Sequence, residues 1–147
     1  MYRKILVPLD GTTSAEAALN HVENLAKDGK AEVVLLRVLP RPQAKVVSNT
    51  VVATADEVAQ REAAEALEYL NGMAWRLQLY NVKTHKAICI GDPSKEIAEY
   101  ARDHNVDLIV MTPRKRNRWI SLFGNDVAKT VMNRTRKPVL LLKGAVA

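Results

Sequence analysis

Five short apolar runs, each separated from the next by a stretch with helical spacing, constrain this chain more than any other feature. The runs occupy residues 5–9, 33–38, 82–90, 108–111 and 139–142. Between them the apolar residues recur every three or four positions, which is the signature of helices with one covered face. Strands that alternate with helices in this way must lie mostly parallel, joined by right-handed crossovers, with helices on both faces of the sheet. The expectation is an α/β three-layer sandwich of order β-α-β-α-β-α-β-α-β. In such a fold ligands bind beyond the C-terminal ends of the strands, where the strand order reverses. Here those ends are Asp10, Val38, Gly91 and Met111.

Local signals place the elements. The first run ends at Asp10-Gly11-Thr12-Thr13, and Thr13 with Glu16 has the spacing of a capping box ahead of Ala18, Val22, Leu25 and Ala26. Gly29 marks that helix's end. Pro40 and Pro42 break the second strand. Residues 43–55 show no clear period and read as a long loop. From Asp56 a long helix follows, with Ala59, Ala63, Leu67, Leu70, Ala74 and Leu77 on its apolar face. Gly91 ends the third strand, and Asp92 caps a helix that carries Pro93 in its first turn and runs to about Asn105. A short helix over about 126–133 precedes the last strand.

At 147 residues and 48% hydrophobic, the chain has the size of one compact domain, expected to span 1–147 without linker or repeat. No apolar run of about 18 residues occurs, and MYRKILVPLD passes from two basic residues straight into a strand. These features lead to the expectation of a soluble, cytoplasmic protein. The one cysteine, Cys89, excludes an internal disulfide and sits among apolar neighbours that favour an inert thiol.

Charge is unevenly spread. The net charge is +6, with 22 basic and 16 acidic residues. Residues 114–137 hold Arg114, Lys115, Arg116, Arg118, Lys129, Arg134, Arg136 and Lys137 against Asp126 alone. That concentration suits contact with phosphate or nucleic acid.

The segments KILVPLDGT, LLRVLP, GDPSKEIAEYARDHNVDLIVM and VAKTVMNRTRKPVLLLK together resemble the universal stress protein family, over essentially the whole chain. The resemblance implies five parallel strands in the order 3-2-1-4-5, a homodimer and a non-catalytic cytoplasmic role in stress survival. Some members bind ATP through a glycine pattern after the fourth strand: Gly, two residues, Gly, nine residues, Gly, then Ser or Thr. Aligned without gaps from Met111 and from Pro138, those places here are Thr112, Lys115, Asn125 and Asp126. None matches, and Gly124 falls one position early. Pro8, Leu9, Asp10 and Val38 match places where nucleotide-binding relatives hold adenine and ribose, and Val127 keeps its place after the altered pair.

The substitutions have physical weight. Glycines in phosphate loops permit positive φ and let backbone N–H groups reach the anion with no Cβ in the way. Thr112 is β-branched, and Lys115 brings a long stem. At the helix start, Asp126 can satisfy the free N–H groups with its own carboxylate. That charge would also repel a phosphate oxygen some 4 Å away by about 1 kcal/mol in water. The expectation is a degenerate site with no resident cofactor. The alternative is ATP with Mg held by the side chains of Arg114, Lys115, Arg116 and Arg118, since arginine forks bind phosphate without glycine.

A second alternative is nucleic-acid binding, with Trp119 and Phe123 stacking bases, although no helix-turn-helix, RNA-recognition or zinc pattern accompanies them. Nucleic acid and membrane are therefore not the expected partners; a second copy or another protein is. Val139, Leu140, Leu141 and Leu142 would form an open apolar edge that invites pairing with a second copy. His21, His85 and His104 lack ligand spacing, and no metal is expected. No P-loop pattern occurs, and the third strand lacks the terminal aspartate a receiver site needs.

Overall fold

The computed structural model describes residues 1–112 and 127–142. A five-stranded sheet runs through the centre, built from β1 (Lys4–Pro8), β2 (Glu32–Leu39), β5 (Lys83–Ile90), β6 (Leu108–Met111) and β7 (Val139–Leu141). All its pairings are parallel, in the order β5-β2-β1-β6-β7. Counted among the sheet's strands alone, that is the expected order 3-2-1-4-5. Around it lie α1 (Thr13–Glu16), α2 (Ala18–Ala26), α3 (Ala55–Gln78), α4 (Pro93–Asp103) and α5 (Val127–Arg134).

Strands covered on both faces have no reason to alternate, and these do not. Ile5, Leu6 and Val7 are all fully buried. Ile5 and Val7 point into one core with Leu19, Val22, Leu70 and Leu77 of α2 and α3. Leu6 points into the other, with Ile97, Ala101 and Val131 of α4 and α5. Each core is a sheet face closed by two helices, and burial of this apolar area is the main stabilising term.

Polar groups close the ends. The Asp107 carboxylate accepts hydrogen bonds from the Arg3 and Lys4 N–H groups, both at 2.8 Å, fixing the chain before β1 against the start of β6. These bonds hold its pKa below the ordinary carboxylate range. Asp92 caps α4, accepting from the Lys95 N–H at 3.1 Å and the Ser94 hydroxyl at 2.8 Å. Gly91 holds φ +146°, a conformation that residues with a Cβ rarely adopt; a side chain there would also have to displace the Glu96 carboxylate.

Five expectations are corrected. Residues 43–55 contain a hairpin, β3 (Lys45–Val47) with β4 (Thr50–Ala53), turned through Ser48 and Asn49 at positive φ. Its valines stand in adjacent pairs and are exposed on both faces, so no alternation marks them. α3 starts earlier than Asp56, with Thr54 accepting from the Glu57 N–H at 3.2 Å. Its covered face is Val58, Ala66, Leu70, Ala74 and Leu77, while Leu67 faces out. The first helix is split at Ala17, with Thr13 already inside α1 rather than capping it. Leu19, not Leu25, is buried there.

Candidate functional site

The switch point lies between β1 and β6. From β1 the chain adds strands outward through β2 to β5, then returns to the other side of β1 for β6 and β7. The helices that follow β1 and β6, α2 and α5, pack on opposite faces of the sheet, the arrangement that opens a crevice beyond the C-terminal ends of those strands. The structure brings Pro8, Leu9, Asp10, Val38, Met111 and Thr112 to the same end of the sheet. Leu9 N–H donates to Leu36 O at 2.8 Å, and Leu142 N–H to Met111 O at 2.9 Å, so the pairing extends just past the strand ends.

Leu9, Val38 and Met111 are buried in the cores, whereas Pro8, Asp10, Thr112 and Val127 are part-exposed. Asp10 is braced. Its Oδ1 accepts from the Thr12 N–H at 2.8 Å and from the Thr12 hydroxyl at 2.5 Å. This is a side-chain-closed turn, and Gly11 supplies its φ of +85°.

Two hydroxyls at this end of the sheet are buried with no hydrogen-bond partner, those of Tyr69 and Thr112. Tyr69, on α3, packs against the α2–α3 core, and its ring carries the hydroxyl toward Asp10, Glu16 and Arg37. Burial, then the Glu16 and Asp10 carboxylates, push its pKa up; Glu16 faces the hydroxyl without reaching hydrogen-bond geometry. The phenol is a neutral donor at every physiological pH. A buried hydroxyl left unpaired costs about 1–3 kcal/mol, which a polar ligand or water can recover. Sequence reasoning missed Tyr69, because its neighbour Leu70 carries the helical period and nothing local ties residue 69 to residues 10, 16 and 37. The Thr54-x-x-Glu57 cap, which fixes where α3 begins, was the available signal.

Arg114, Lys115, Arg116, Arg118, Trp119, Phe123, Asn125 and Asp126 lie outside the described residues. Cys89 is half-buried, and burial with the nearby Glu96 carboxylate raises its pKa, so its thiol stays protonated. His21 lies on α2, His85 sits 3.2 Å from Glu32, and His104 stacks on Tyr100 at 3.8 Å. They do not converge. Among the described residues no group of three or more His, Cys, Asp or Glu side chains could hold a metal ion. No described helix is long and apolar enough to cross a membrane.

The model of the Universal stress protein family matches residues 1–143. The chain belongs to that family. Among its universal stress protein relatives, MJ0577 of Methanocaldococcus jannaschii is 28% identical over 155 residues, covering 97% of this chain and 96% of that protein. MJ0531 of the same organism is 31% identical over 144 residues, covering 97% and 83%. The solved structure of MJ0577 superposes with a TM-score of 0.82 at 29% identity, over 100% of this chain and 99% of that one. A universal stress protein from Archaeoglobus fulgidus, solved in complex with dAMP, shares the fold at a TM-score of 0.69 and 17% identity, over 97% and 98%.

Proposed function

We propose that this universal stress protein is a non-catalytic, homodimeric cytoplasmic module whose switch-point crevice does not retain ATP. The observation that carries this reading is Thr112. It follows β6 where the nucleotide-binding members place the first glycine of their phosphate loop, and its side-chain hydroxyl is buried there. A β-branched side chain in that place disfavours positive φ and holds the backbone away from an incoming phosphate. Asp126, two residues before Ala128 of α5, adds a carboxylate where the loop would otherwise offer bare N–H groups.

The test is thermal denaturation with and without Mg-ATP, with analysis of nucleotide released from the purified, denatured protein. Unchanged melting and no released nucleotide are expected. Co-purified ATP would overturn the reading. Replacing Thr112 and Lys115 by Gly, and Asn125-Asp126 by Gly-Ser, should create or raise ATP affinity. A fall in affinity instead would assign phosphate binding to Arg114, Lys115, Arg116 and Arg118.

The unpartnered Tyr69 and Thr112 hydroxyls favour a second reading, in which the crevice takes a mononucleotide without the triphosphate; that a relative was solved in complex with dAMP supports it. Under it, Tyr69→Phe weakens AMP or dAMP binding by about tenfold, the worth of one buried hydrogen bond. Equal binding by both proteins would remove this reading.

A further inference from the structure

Most of the chain's clustered basic charge outside 114–118 lies away from the crevice. One wall of a groove of about 690 Å³ is a face of α4 carrying Lys95, Ala98, Glu99 and Arg102. The other wall is Arg134 at the end of α5 with Thr135, Arg136 and Lys137 of the turn into β7. Five cations therefore face one carboxylate across a concave surface. The turn is well fixed, since Thr135 N–H donates to Val131 O at 2.9 Å and Lys137 N–H to Thr135 Oγ1 at 3.1 Å.

These cations are treated differently from those at the N-terminal ends of β1, β2 and β5. Lys4, Lys83 and His85 converge on Glu32 at 3.2–3.3 Å. Among the described residues, Arg102 is the one groove cation with an ion pair, to its neighbour Asp103 at 2.9 Å, and Lys137 lies near enough to Asp107 to help lower its pKa. Lys95, Arg134 and Arg136 pair with no described carboxylate. Clustered like charges repel one another, so a concave group of them without counter-charges is stabilised by an external anion.

The lining selects the anion. Three of the five cations are arginines, whose planar forks match phosphate oxygens in pairs. No aromatic side chain is present to stack a base, and no apolar pocket is present to anchor a peptide side chain. Along α4, Lys95 and Arg102 are set about 10 Å apart at 1.5 Å per residue, so the cations are spread along the groove rather than gathered at one point. We propose that the groove between α4 and the α5–β7 turn binds an extended chain of phosphates, with Lys95, Arg102, Arg134, Arg136 and Lys137 as its contacts and Glu99 as the group that limits its affinity. This site is separate from the crevice, and its fate does not depend on whether the crevice holds a nucleotide.

The experiment titrates the full chain with inorganic polyphosphate and, in a second arm, with fluorescein-labelled oligothymidine at several salt concentrations. Binding of polyphosphate should weaken at least about tenfold in the R134Q/R136Q variant, and its salt slope should fall by about 1.4, near 0.7 for each lost contact. Lys95→Gln with Arg102→Gln, on the opposite wall, should do the same. Glu99→Gln should tighten binding two- to threefold by removing a like charge, an effect of about 0.5 kcal/mol. Substitution of Arg114, Arg116 and Arg118 by Gln is the control that leaves groove binding in place.

Oligothymidine displaced by polyphosphate from the same groove would identify nucleic-acid backbone as one source of the phosphates. Binding of polyphosphate alone would restrict the site to the inorganic chain. Loss of binding in the 114–118 variant with full binding in both groove variants would overturn the proposal. So would the absence of binding by either probe at low salt.

Discussion

The two edges of the sheet are built on opposite plans. β5 presents Lys83, His85 and Lys86 to solvent along its eight residues. Glu32 on the adjacent strand gathers Lys4, Lys83 and His85 into one ion network, and Lys86 hydrogen-bonds Asn71 of α3. A charged edge resists the addition of another strand, because each lysine would have to lose water or meet its own copy. β7 is only three residues long, holds no charge, and leaves Leu140 and Leu141 more than a third exposed. Its inward N–H groups are identified by the Leu142 bond to Met111 O, so by alternation the Leu141 N–H points away from the sheet. One edge is guarded and the other is open to pairing. The contrast is the ground for the proposed dimer, in which each copy would cover the other's β7.

Substitutions can break that contrast or sharpen it. Leu141→Lys places a charge on the open edge and, in a symmetric pair, near its own copy. The dissociation constant for self-association, measured by analytical ultracentrifugation, should rise about 100-fold, or nearly 3 kcal/mol. An unchanged dimer would show that β7 is not its interface. The reverse experiment removes the guard. Lys83→Val with Lys86→Val should produce concentration-dependent association beyond the dimer in the same measurement, about tenfold stronger than in the parent protein.

Two carboxylates that flank β1 at the N-terminal end of the sheet give smaller effects on stability. Asp107→Asn weakens the tie between β1 and β6 and should cost about 1–2 kcal/mol in urea denaturation at neutral pH. Because folding depresses this carboxylate, its contribution is complete above the ordinary value of 3.8 and disappears as pH falls through the lower folded value. The difference between parent and variant should therefore close in acid. Glu32 follows the same sign on the guarded edge. Burial raises its pKa, but hydrogen bonds from His85, Lys4 and Lys83 outweigh that and leave it below 4.5. Its side chain is 24% exposed, so screening limits Glu32→Gln to about 0.5–1 kcal/mol, again lost below pH 4.5. A Glu32→Gln penalty that persisted into acid would point to lost packing rather than lost charge.

Much of this architecture was legible because its strands are buried on both faces. Ile5, Leu6 and Val7 form an unbroken apolar run, and Asp92-Pro93 announces the start of α4 without reference to anything distant. The hairpin was not legible. Val46, Val47, Val51 and Val52 are exposed, so no core selects one face of each strand and no alternation is written. The face of α3 was misread by part of a turn up to its middle, where Leu67 fits the helical spacing yet points to solvent. Small residues there, Ala59, Ala63 and Ala66, leave the period weak, and packing chose among them.

The candidate crevice divides along the same line. Pro8, Leu9, Asp10, Val38, Met111 and Thr112 could be placed from strand ends alone, because a parallel sheet puts those ends together whatever the side chains are. Tyr69 could not. It comes near Asp10, Glu16 and Arg37 only because α3 packs back over β2 and β5.

By itself the sequence determined the alternation of strand and helix, the parallel order that alternation requires, and the side chains standing at each strand end. Hydrophobic period and capping chemistry are local, and neighbours in sequence suffice to express them. Only the tertiary structure decided which buried hydroxyl meets the crevice, which helix wall faces Arg134 and Arg136 to make a groove, and which edge of the sheet stays open. Those depend on groups tens of residues apart, and their energies exist only once packing has set the distances between them.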